Sequence, residues 1–146
     1  MTKTTTQGNF QQLFLRIALA AGLLSAVADR LGFWGSYAAW GNWENFEAYT
    51  RQLTFFLPMA LSNISAFVAT VLEAGFAILL LLGYKTKIVS NLTGLLLLIF
   101  ALSMSVALGV KAPLDYSVWA GSAGAFLLAC QPDFSFSLDK AMAAKR

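Results

Sequence analysis

Four long runs without charge occupy half of this chain, and the second of them leads into a lone carboxylate, Glu73. No charged residue falls between Arg16 and Asp29, between Arg51 and Glu73, between Lys87 and Lys111, or between Asp115 and Asp133. About 20 consecutive apolar residues are enough to cross a bilayer as a helix. The pattern predicts spans over residues 11–34, 62–84, 88–110 and 116–131, of which the last is the shortest and needs its flanks or a tilt. The fold class expected is all-α, an integral membrane four-helix bundle. The loop 35–61 should hold an amphipathic outer-side helix, and 132–146 should form a tail that includes a short amphipathic helix. Four spans with short joints make residues 1–146 a single domain.

Composition agrees with this class. Only 12% of the 146 residues are charged, against about 25% in soluble domains. The first apolar run is long and contains Arg16, so it reads as a span and not as a removable signal peptide. The basic residues sit at predicted helix ends, which points to orientation and not to nucleic acid. Lys3, Arg16, Lys85, Lys87, Lys140, Lys145 and Arg146 fall on one side of the predicted bundle, and the positive-inside tendency makes that side cytoplasmic. Both termini are then cytoplasmic, in a bacterial inner membrane. The chain has no histidine and one cysteine, Cys130. A histidine-ligated haem or metal site and a Cys-x-x-Cys redox pair are therefore excluded within it. No intrinsic cofactor is expected, and a bound quinone is the candidate carrier for any redox role.

Small residues recur at helical spacing on each span and should mark the packed faces. They are Ala18, Gly22, Ser25 and Asp29 on the first, and Ala66, Thr70, Glu73 and Ala77 on the second. Asn91, Gly94, Ala101 and Ser105 follow on the third, and Ser117, Gly121 and Gly124 on the fourth. In the loop, Asn42 reads as a helix cap with Glu44 in the first turn. Trp43, Phe46, Thr50, Leu53 and Leu57 share one face of that helix, and Pro58 is placed to stop it.

A charge at bilayer depth costs about 2.5–3.5 kcal/mol on insertion scales and persists only against protein, water or a counter-ion. Glu73 is therefore the leading site residue, either as a ligand or proton group or as half of a fold-locking pair with Arg30 or Arg16. Asp29, Arg30, Asp115 and Tyr116 are expected at the mouth of an outward cavity with Glu73 at its floor. Trp119, Trp40 and Trp43 stand around that mouth, as cleft wall or as an aromatic belt. Structural pairing or interface anchoring competes for Asp29 and Arg30. Arg16 is expected to snorkel to headgroups, Asp115 to cap the fourth span, and Cys130 to be a passive apolar residue.

Three segments carry a resemblance: Leu-Arg-Ile-Ala-Leu at 15–19, Leu-Glu-Ala-Gly-Phe-Ala-Ile-Leu-Leu-Leu-Leu-Gly-Tyr-Lys-Thr-Lys at 72–87, and Ala-Pro-Leu-Asp-Tyr-Ser-Val at 112–118. With them the chain resembles the DoxX family of small bacterial membrane proteins over about Leu13–Ala129. That family has an early arginine in span one and a Glu-containing second span running into a Leu-Gly joint with basic residues. The Asp29-Arg30 region departs from its usual ending of span one. The resemblance implies a four-helix inner-membrane bundle associated with quinone-linked redox systems, and it transfers no catalytic residue. An accessory subunit holding a quinone or lipid-like molecule near Glu73 is thus the first expectation, ahead of a self-sufficient enzyme. A scaffold gripping a membrane or periplasmic partner through its loop is the second. A small transporter is the third, and it would need a homo-oligomer.

Overall fold

Three helices are long and apolar enough to cross a membrane: Asn9–Arg30, Met59–Leu82 and Thr86–Leu108. At 1.5 Å per residue they reach about 33–36 Å, against a hydrocarbon core of about 30 Å. The computed structural model describes residues 6–144, in which these helices are α1 (Thr6–Arg30), α3 (Met59–Leu82) and α4 (Thr86–Leu108). Two shorter helices, α2 (Trp43–Leu53) and α5 (Lys111–Asp115), lie in the connections. The fourth bundle position is taken by α6 (Val118–Ala129), and α7 (Leu138–Ala143) lies in the tail. No strand occurs among the described residues.

The outward faces are what lipid requires. Ile64, Phe67, Val71, Ile78 and Leu82 line one side of α3, and Ile88, Leu92, Leu95, Ile99, Leu102 and Val106 line one side of α4, all exposed. Such aliphatic stripes at helical spacing would associate in water and are stable against acyl chains. The chain is therefore a membrane protein. Inside, Leu19, Ala20, Leu23, Ala77, Leu80, Val89, Ala125, Leu128 and Phe134 form the core. The helices α4 and α6 approach closely. A Cβ on Gly94 would stand 2.9 Å from two ring carbons of Phe126, and Ser122 Oγ donates to the Gly94 carbonyl at 2.8 Å. Small residues admit this proximity, and van der Waals contact then replaces the hydrophobic drive that lipid does not supply.

The small-residue stripe of α3 faces inward, with Ala66, Glu73 and Ala77 buried and Thr70 half-buried. That of α1 does so only in part. Asp29 is buried and Ser25 half-buried, but Ala18 and Gly22 are exposed, and the rest of the buried line is Gln12, Arg16, Leu19, Ala20, Leu23 and Arg30. The reason is electrostatic: two arginines and a glutamine on one face are too costly in lipid, so the helix turns that face inward, which leaves Ala18 and Gly22 outside. Asn91 is likewise exposed and donates to the Lys87 carbonyl, while Ser90 and Thr93 take the buried side of α4.

The fourth helix is shorter than expected. Its 12 residues span about 18 Å. Ser117, in the left-handed conformation at φ 56°, separates it from α5. Asp115 does not cap α6 and instead pairs with Lys111 within α5. Nor does Pro58 end α2, which stops at Leu53; Pro58 is the N-cap of α3.

Both ends of the bundle are closed by chain segments. At the loop end, Asn42 Oδ1 accepts from the Asn45 amide at 2.8 Å and starts α2. This helix lays Phe46 and Thr50 onto α1, α3 and α4. At the tail end, Arg16 does not snorkel. It is 2% exposed, and its Nη1 and Nη2 donate to the carbonyls of Ser135 and Phe136 at 3.2 and 2.6 Å. Gln12 Nε2 joins it on Ser135 O at 3.3 Å. Asp139 accepts from the Lys85 and Thr86 amides at 2.7 Å each, which caps α4 from the far end of the chain.

Candidate functional site

Arg30 is the last residue of α1 and Glu73 lies inside α3. Neither charge can stay in lipid alone, and the antiparallel packing of α1 on α3 brings them together. Arg30 Nη1 donates to Glu73 Oε2 in an ion pair whose side chains are 2% and 4% exposed. The same nitrogen reaches Thr70 Oγ1 at 2.6 Å. Thr70 sits one turn before Glu73 on the same face, and its hydroxyl donates in turn to the Ala66 carbonyl at 2.9 Å.

Aromatic rings close the pair from the loop end. The Arg30 guanidinium carbon lies 3.8 Å from the Phe46 ring centroid and 5.5 Å from that of Trp40. Trp40 meets Phe46 edge-on at 5.1 Å, and Trp43 leans on Phe46 at 5.7 Å. A guanidinium over aromatic faces gains about 2 kcal/mol or more where it is desolvated. The lid therefore stabilises the cation that the carboxylate needs. Arg30 Nε is buried and has no acceptor among the described residues, so one donor of the fork is left over beside the rings.

Asp29 points the other way. Its carboxylate accepts from the amides of Ala39, Trp40 and Gly41 at 2.7, 2.8 and 3.1 Å. It thereby fixes the loop that presents Trp40 to Arg30. Replacing Asp29 with Ala leaves three amides without their acceptor, and the expected cost is about 3 kcal/mol, given roughly 1.5–3 kcal/mol for a hydrogen bond to a charged group. Limited proteolysis should then cut within 35–43 faster, and Asp29→Asn should give a smaller change. An uncut loop in the Ala variant would remove this role.

The remaining expected residues are more dispersed. Asp115 is exposed and spends its carboxylate on Lys111. Tyr116 is exposed near Tyr49 of α2, whose phenol is pushed up by burial and by that neighbour. Trp119 is half-buried on the first turn of α6. The structure thus joins Arg30, Glu73 and Trp40, with Trp43 at the edge and Asp29 behind. It adds Phe46 and Thr70, which carried a signal only as members of helical stripes. What the arrangement can do chemically is hold a buried carboxylate–guanidinium pair beside edge-packed aromatic rings with one unused N–H.

Comparison with protein-family models, with curated proteins and with solved structures finds no match for this chain.

Proposed function

From a buried ion pair roofed by aromatic rings in a membrane bundle, we propose an accessory subunit of a quinone-linked redox system, of the DoxX type, in a bacterial inner membrane with both termini cytoplasmic. Its ligand is a flat, carbonyl-bearing amphipathic molecule of the quinone class, taken beside Arg30 and Glu73. The observation that carries this reading is the unused Arg30 Nε–H next to the faces of Trp40 and Phe46. A quinone carbonyl accepts such a donor, and its ring stacks on such a surface. Entry requires the α2 lid to lift, since the pair is buried beneath it. The chain supplies binding and orientation, and electrons pass through the ligand and a partner subunit.

The exposed aromatic residues Phe33, Trp34 and Tyr37 after α1 favour a second reading, a scaffold that grips a membrane partner. Titration of purified protein in nanodiscs with a short-chain quinone, followed by tryptophan fluorescence, separates the two. Saturable quenching that Glu73→Gln weakens and Trp40→Ala abolishes supports the quinone site. No saturable response, with loss of a cross-linked membrane partner on Phe33→Ser and Tyr37→Ser, supports the scaffold.

A further inference from the structure

The tail end of the bundle gathers lysines that the fold does not use. Arg16 is buried there on two carbonyls. Lys85, Lys87 and Lys140 are exposed, and none of them forms an ion pair among the described residues. The acid next to them, Asp139, has turned both oxygens onto the amides of Lys85 and Thr86 at 2.7 Å each. That contact also brings two of the lysines together. Lys85 donates its amide to Asp139, and Lys140 is the next residue, so their Cα atoms lie within about 12 Å of each other. Two flexible four-carbon stems can close that gap onto one anion.

The surroundings say which anion. Lys85 lies in the turn between α3, which ends at Leu82, and α4, which starts at Thr86. Its ammonium therefore stands where two spanning helices leave the hydrocarbon, at headgroup depth, 5.7 Å from the Tyr84 ring. Beside it Phe136 is 79% exposed, and Leu138 and Met142, one turn apart on α7, are exposed as well. Apolar side chains next to lysines seat a short helix in a membrane interface. Lys85 and Phe136 also hold positive φ angles of 48° and 50°, which glycine would adopt without strain. The strained positions present an ammonium and an aromatic ring to the membrane surface, which points to a use for those side chains. The anion at that depth is a phospholipid phosphate. In a zwitterionic headgroup the lipid's own cation cancels it, whereas an acidic headgroup keeps a net negative charge that attracts lysine.

We propose that Lys85 and Lys140 close on the phosphate of an acidic phospholipid of the phosphatidylglycerol class, and that the bound lipid clamps α7 onto the turn between α3 and α4. The site is independent of the quinone reading and rests on membrane embedding and on the docked tail. Native mass spectrometry of protein released from nanodiscs holding equal phosphatidylglycerol and phosphatidylcholine tests the binding. Retention should favour the acidic lipid by about 25-fold, about fivefold for each bridging lysine. Lys85→Gln or Lys140→Gln alone should lower the preference to about fivefold, and the double variant should erase it. Lys111→Gln, at the loop end, should leave it intact. Hydrogen exchange tests the clamp: amides of residues 138–143 should exchange more slowly in phosphatidylglycerol discs than in phosphatidylcholine discs, and Lys85→Gln should remove the difference. Equal retention of the two lipids, or a preference that survives the double variant, overturns the site. Equal exchange of α7 in the two lipids overturns the clamp. Soluble glycerophosphoglycerol protecting α7 in phosphatidylcholine discs as well as the acidic lipid does would overturn the membrane as the source of the phosphate.

Discussion

Replacing Glu73 with Ala should destabilise the protein by about 3–5 kcal/mol, because it strands a buried guanidinium. Arg30 would keep only Thr70 Oγ1 and the rings of Phe46 and Trp40 as partners. Arg30→Met should cost a similar amount by stranding the carboxylate. The double variant Arg30→Met/Glu73→Leu should recover most of the loss, since two apolar side chains of similar volume need no compensation where water is absent. Glu73→Gln keeps the shape and an acceptor oxygen and should fall between. Unfolding in mixed micelles, followed through the tryptophans that crowd the lid, measures all four. A double variant less stable than either single one would show that the pair contributes beyond mutual neutralisation. A Glu73→Ala cost below about 1 kcal/mol would place the carboxylate in a solvated setting, where ion pairs are weak, and the closed lid would have to be abandoned.

The same physics explains what the sequence disclosed. On α3 one face holds Ala66, Glu73 and Ala77 and the other holds Ile64, Phe67, Val71 and Ile78. Small and acidic residues coincide there, so spacing alone identifies the packed side. On α1 they conflict: Ala18 and Gly22 mark one face, Gln12 and Arg16 another. Spacing cannot rank the two faces, but the cost of buried charge can, and that cost depends on partners elsewhere in the chain. The carbonyls that neutralise Arg16 belong to Ser135 and Phe136, 119 and 120 residues away. Asp139 caps α4 from 53 residues downstream. Phe46 was visible as one apolar position of an amphipathic helix, yet its place over Arg30 depends on how Asp29 folds the intervening loop. Arg30 and Glu73 could be picked out singly as charges at depth. Their pairing needed the crossing of α1 on α3.

Adding a methyl group at Gly83 should unlatch the tail end. Gly83 closes α3 at φ 64°, a conformation that costs other residues about 1–2 kcal/mol. A Cβ there would stand 2.4 Å from Ser137 Cβ, 2.8 Å from Ser137 Cα and 2.9 Å from Arg16 Nη1. One of these is backbone, so the clash is relieved only by displacing the tail. That movement removes the Asp139 cap from Lys85 and Thr86 and the two carbonyls from Arg16, leaving a buried guanidinium without acceptors. Strain and lost hydrogen bonds together should reach about 3 kcal/mol or more. Trypsin should then cleave after Lys140 faster in Gly83→Ala than in the parent. Gly22→Ala is the matched control: its Cβ meets nothing within 4 Å, and in mid-helix alanine should be neutral or stabilising by about 0.5–1 kcal/mol. If Gly83→Ala melts with the parent and its tail stays protected, the tail does not dock against the α3–α4 turn, and Arg16 must find its counterpart in the headgroups after all.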